Sequence, residues 1–121
     1  MRLDHILGNL LADVDRAVGV TLIDDAGEAI ETVSAELDAE EMRAVGALAE
    51  IHLRKLRSSL TSDEDTTVGA LLIEGENLDL LAQPVGSGYV LALALRTPAL
   101  TTPAATALER AGLEIERAIL S

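Results

Sequence analysis

The stretch "VGVTLIDDAGEAIETV", residues 18–33, sets two β-rich runs, 18–23 and 28–33, on either side of Asp24-Asp25-Ala26-Gly27. Val20, Thr21 and Ile30 suit a pleated surface. Asp at the first position of a type I turn bonds its own backbone two residues on, and Gly at the fourth takes the positive φ that closes the hairpin. A Mg²⁺ or Ca²⁺ loop would need further oxygen ligands at defined spacing, and Glu28 alone does not supply them. The carboxylates of Asp24 and Asp25 therefore read as a turn between antiparallel strands, with no metal assigned.

Outward from this hairpin, Leu3, Ile6, Leu7, Leu10, Leu11 and Val14 recur at three-and-four spacing, which predicts an amphipathic first helix. After the hairpin, Asp38 and Glu41 have the spacing of a capping box ahead of a long helix reaching about Leu60. The acidic stretch 61–67, with Ser62 to Asp65 at its centre, has no periodicity and reads as a loop. Three strands follow, 68–74, 78–84 and 89–96, separated by "EGEN" and "PVGSG". Thr102 as N-cap and Pro103 at the first helical position begin a third helix, with Leu108, Ala111, Ile115 and Ile119 along one stripe. The order α-β-β-α-β-β-β-α predicts an α+β fold with one five-stranded antiparallel sheet covered by helices. Residues 1–121 form one domain.

Composition narrows the function. Hydrophobic residues make up 49% of the chain, yet Tyr89 is its only Phe, Tyr or Trp, so the core is built from Leu, Ile, Val and Ala and bases have no rings to stack on. A formal charge of −12, from 21 acids against 9 bases, repels phosphate backbones and anionic lipid, so nucleic acid and membrane are poor partners and basic surfaces better ones. There is no cysteine, hence no disulfide or thiolate chemistry, which fits a reducing compartment. Acids interrupt the apolar N-terminal residues, so neither a signal peptide nor a membrane span is read there, and the cytoplasm is the expected location.

No constellation carries catalysis. His5 and His52 have no ligand neighbour at helical spacing; His5 reads as surface, and His52 as a partly buried residue on the stripe of Met42, Val45, Ala49 and Leu56. Ser87 in "VGSGY" lacks a nucleophile elbow, and "GSG" lacks the third glycine and the helix of a dinucleotide site. Glu40-Glu41 and Glu114/Glu116 read as solvated helix charges. The expectation is a non-enzyme with no catalytic, cofactor or metal residues.

The informative anomaly is the long helix. Projected at about 100° per residue, Met42, Val45, Ala49, Leu53, Leu56 and Leu60 form one apolar stripe, and Ala44, Ala47, Leu48 and Ile51 a second on the opposite side. Arg43, Glu50, Arg54 and Arg57 fill one polar sector between them. A helix covering one sheet needs a single stripe; the second predicts another apolar partner, a second copy of the chain or a neighbouring helix of the same one. Arg54, Lys55 and Arg57 cluster at the C-terminal end, where they favour the helix dipole and form a candidate docking site.

The order of elements, with "VGVTLIDDAGEAI" as strand, Asp-x-x-Gly turn and strand, and "LLAQPVGSGYVLALAL" as strand, Gly-rich turn and strand, resembles the roadblock/dynein light chain family over residues 2–120. The resemblance implies a roadblock/profilin-like fold and a homodimer whose third strands pair while the central helices form a platform. It places Val68, Ala70 and Leu72 on the paired edge and Leu48, Ile51 and Lys55, with Arg54 beside them, at the dimer and partner face. It also implies a small Ras-like GTPase as partner, as for bacterial and archaeal members, or a dynein or nutrient-sensing scaffold as for eukaryotic ones. A structural scaffold subunit without a GTPase and a small-molecule sensory domain of profilin-like fold are the alternatives.

Overall fold

The computed structural model describes residues 2–60 and 69–120. The elements are α1 (Leu3–Asp13), β1 (Ala17–Ile23), β2 (Ala29–Ser34), α2 (Ala39–Leu60), β3 (Leu71–Glu74), β4 (Leu78–Val85), β5 (Tyr89–Arg96) and α3 (Thr101–Ile115), with a π-helical turn at Glu116–Leu120. The strands form one sheet in the order β2-β1-β5-β4-β3, every neighbouring pair antiparallel. The expected α+β arrangement is thus realised, and β2 and β3 are its edges. The expected loop at 61–67 and Val68 lie outside the described residues. Among the described residues no helix is long and apolar enough to cross a membrane.

The sheet is buried on both faces, so its central strands alternate in size instead of polarity. Leu91, Leu93 and Leu95 of β5, with Val20, Leu22 and Leu81, meet α1 and α3 through Leu3, Leu7, Leu10, Leu108 and Ile115. Ala92 and Ala94, with Ala82, face α2 and pack on Met42, Ala49 and Leu53. Small side chains on that face let α2 lie close. A Cβ at Gly19 would stand 2.6 Å from Met42 Sδ, and one at Gly46 would stand 2.6 Å from Ile23 Cδ1 and collide with Thr21 Cγ2. The position of α2 is therefore set by two glycines facing each other's element.

The Asp24 turn forms as the spacing predicts. Asp24 Oδ1 accepts from the backbone N–H groups of Ala26 and Glu28, both at 2.9 Å, and Gly27 has φ 83°. Asp38 caps α2, its Oδ1 accepting from Glu40 N at 2.8 Å. Helix α3 differs from expectation: Leu100 is its N-cap, without a side-chain cap bond, and Thr102 lies inside the helix with its carbonyl accepting from Thr106 Oγ1. The helix begins two residues early because its apolar positions, not a capping hydroxyl, fix where it docks on the sheet.

One latch was not legible in the sequence. Arg16, with φ 67°, donates from Nε to the Arg96 carbonyl and from Nη2 to the Thr97 carbonyl, each at 2.9 Å, while its own carbonyl accepts from Arg96 N. A non-glycine residue with positive φ is strained by about 1 kcal/mol or more, and the two charge-assisted bonds hold it there. Arg16→Ala keeps the strain and loses the bonds, so we expect a loss of about 1–2 kcal/mol in urea unfolding. Arg16→Gly should recover part of that loss.

Candidate interaction surface

Glycine 46 also decides which residues of α2 face outward. Because the sheet is approached most closely there, the buried face of the helix is Met42, Gly46, Ala49, Glu50 and Leu53. Two sequence readings are corrected by this rotation. Glu50, expected in the polar sector, turns inward to 4% exposure, and His52, expected partly buried, turns out to solvent. Leu60, expected on the buried stripe, ends the helix beyond the sheet and is 59% exposed.

On the opposite side of α2 no described element packs over the second stripe. Leu48 is 51% exposed and Ala44 is exposed, while Ala47 and Ile51 are half-buried. Lys55 is exposed beside them, and Arg54 extends into solvent from the flank over Glu50. Leu71 and Ile73 of β3, half-buried, form with His52, Lys55, Leu56 and Ser59 an apolar hollow of about 390 Å³ between α2 and the sheet edge. Among the described residues the outer edge of β3 has no strand beside it, since β4 pairs its inner side. Helix stripe, hollow and open edge therefore adjoin.

The remaining residues expected at the interface are placed elsewhere. Leu72, 41% exposed, lies on the α3 side of the sheet, where a second hollow is bounded by Ala70, Leu81, Gln83, Ala105 and Glu109. Ala70 precedes the regular strand instead of lying on it, because β4 pairs β3 only from Leu71. The α2-facing members of β3 are Leu71 and Ile73, in keeping with the period of two along "LLIE".

Glu50 is the unusual group of this region. Its Oε1 lies 3.6 Å from Arg54 Nη1, while Oε2 is buried with no hydrogen-bond partner among the described residues, facing the Gly27 turn. A buried carboxylate with one loose ion pair is a stability defect. Glu50→Met should raise stability by about 1 kcal/mol, read as a higher thermal midpoint. Among the described residues no three His, Asp or Glu side chains are grouped to hold a metal ion, and Asp24 is engaged by the backbone of its own turn.

No protein-family model matches the chain, and no characterised protein matches it by sequence. Solved structures do match it. The roadblock/LC7 domain from Streptomyces avermitilis superposes with a TM-score of 0.86 at 18% identity over 98% of each chain. The fold is the roadblock/LC7 fold. The gliding protein MglB from Thermus thermophilus superposes with a TM-score of 0.79 at 17% identity over 92% of this chain and 83% of its own. LokiProfilin2, solved in complex with rabbit actin, does so at 0.65 and 11% identity over 98% of each chain, so the profilin-like side of the expected architecture holds as well.

Proposed function

We propose that the chain is a non-enzymatic homodimeric module that binds a small Ras-like GTPase and regulates its nucleotide cycle or its position in the cytoplasm. The observation that carries this reading is the uncovered apolar stripe of α2, centred on Leu48, beside an open edge strand. An exposed apolar stripe, an apolar hollow and a row of unpaired backbone groups in one place make a surface that a second copy can cover in a single docking event. Two copies joined edge to edge at β3 would extend the sheet and set their α2 helices together as a platform. Leu48, Ile51, Leu71 and Ile73 would then lie inside the dimer, and Ala70 and Leu72 would belong to the edge that joins the copies.

The likeness to MglB and to a roadblock/LC7 domain supports the GTPase reading. The mechanism is steric and electrostatic: a platform with higher affinity for one arrangement of the switch loops shifts the GTPase toward it, and only that difference in affinity changes hydrolysis. No arginine of the chain is assigned as a catalytic finger.

The test is to mix the purified protein with the small Ras-like GTPases of its own organism, each loaded with GDP or a GTP analogue, and to measure complex formation and hydrolysis. A stable complex in one nucleotide state, with an altered hydrolysis rate, is the expected result. No complex with any of them would overturn the GTPase assignment.

A further inference from the structure

We infer that the face of the sheet turned away from α2 docks one cationic amphipathic helix of a partner protein, in a trough between the two α3 helices of the proposed dimer. The inference rests on the edge-to-edge dimer, and adds a second site on the side that neither the α2 platform nor a GTPase seated on it would cover.

On that face α1 packs on β1 and β2, and α3 on β4 and β5. Beyond α3 the Leu72 side chain of β3 is left 41% exposed. Two hollows, of about 390 and 330 Å³, share Ala70, Gln83 and Glu109 and so make one channel along α3, walled by Ala105, Glu109, Leu113 and Glu116. Gln83 Nε2 donates to the Leu108 carbonyl at 3.3 Å, and a Cβ at Gly112 would stand 2.7 Å from the same nitrogen. The helix is thus held close on β4 instead of spreading over β3. Pairing two β3 edges uses main-chain groups in the plane of the sheet, so the Leu72 side chains of both copies would stay on its face. At about 4.8 Å per strand, helices seated over the line between β4 and β5 in each copy would stand about 19 Å apart. That is twice the spacing of packed helices, roughly 8–10 Å. A single helix fills such a gap, lying over the joined β3 strands.

Charge then selects the occupant. Each wall carries the exposed Glu109 and also Glu116, whose Oε1 accepts from Gly86 N at 2.8 Å, and among the described residues no cation lines either hollow. Arg110 lines a different hollow, between α1 and α3. Glu74 shares the face of Leu72 by alternation. A helix with an apolar stripe covers Leu72 and the 48% exposed Leu113, while cations on both its flanks meet the acids of both walls. The chain's own acidic stretch, with Asp63, Glu64 and Asp65, and a further copy at a net charge of −12 both bring like charge to the trough.

The whole chain is titrated with a helical peptide of about 15 residues, matching the length of the α3 wall, with Leu at i, i+3, i+4 and i+7 and Lys on both flanks, and separately with the same peptide bearing Glu for Lys. Amide chemical shifts report the site, and sedimentation the mass. The Lys peptide is expected to move amides of residues 70–72, 81–84 and 101–116, to bind once per dimer, and to bind at least ~10-fold more weakly to Glu109→Lys or in ~0.3 M salt. Glu109→Lys, on an exposed position of α3, should still sediment as a dimer. Leu48→Asp, as a monomer with half a trough, should lose the peptide. The Glu peptide is expected to leave these amides unmoved. Equal binding of both peptides, shifts confined to α2, one peptide per chain, or undiminished binding to Glu109→Lys would overturn the inference. So would assembly beyond a dimer that moves the same amides without peptide, since it gives the trough to another copy. If the chain is a dimer and the Lys peptide leaves the trough unmoved, the inference fails and the dimer stands; a chain that stays monomeric removes the dimer and the trough with it.

Discussion

Leu48→Asp is expected to turn a dimer into a folded monomer. In the single chain the Leu48 side chain is half in solvent, so a carboxylate there changes the stability of the subunit by no more than about 0.5 kcal/mol beyond its lower helix propensity. In the proposed dimer the same position would be covered. Each copy then loses about 1 kcal/mol of apolar burial and gains a desolvated, unpaired carboxylate costing a few kcal/mol. Two-fold symmetry doubles both terms. The dissociation constant should rise by about a thousandfold or more, since every 1.4 kcal/mol is a factor of ten. Sedimentation reads the mass and far-ultraviolet circular dichroism the retained helix. An unchanged dimer would place the interface elsewhere.

Gly46→Leu is expected to do the opposite: to damage the subunit while leaving the outer face of α2 intact. Leucine favours a helix over glycine by nearly ~1 kcal/mol, so any loss reports the contact with the sheet. There the new side chain runs into Thr21 Cγ2 and Ile23 Cδ1, both on residues with no exposed surface to retreat into. Overpacking of a filled core costs about 3 kcal/mol, and in a domain of this size that lowers the thermal midpoint by about 10 °C. An unaltered midpoint would mean that α2 does not approach β1 as closely as described. Residues 46 and 48 are two apart on one helix, yet one change should melt the protein and the other divide it.

Much of the architecture was legible because its signals are local. The Asp24-x-x-Gly27 turn, the Asp38 cap and the three-and-four spacing of Leu3, Leu7 and Leu10 each depend on residues within a few positions of one another. What was not legible depends on contacts distant in sequence. Whether Glu50 points into the sheet and His52 away from it is decided by how closely Gly46 can approach Thr21 and Ile23, and a helical projection that weights only large apolar side chains passes over a glycine. The Arg16 latch joins residues eighty apart, and no spacing rule reports it. The second stripe could be read from periodicity, and the structure leaves Leu48 and Ala44 exposed. Along β3 the structure places Leu72 on the α3 face, while Leu71 and Ile73 border the hollow beside α2.

The central claim is that the outer face of α2 is covered by a second copy of the same chain. Sedimentation equilibrium of the unmodified protein, over a wide range of concentrations, tests it without any partner. The account predicts a species of twice the 12.7 kDa chain mass that separates only on dilution. A single 12.7 kDa species persisting at the highest concentrations would contradict it.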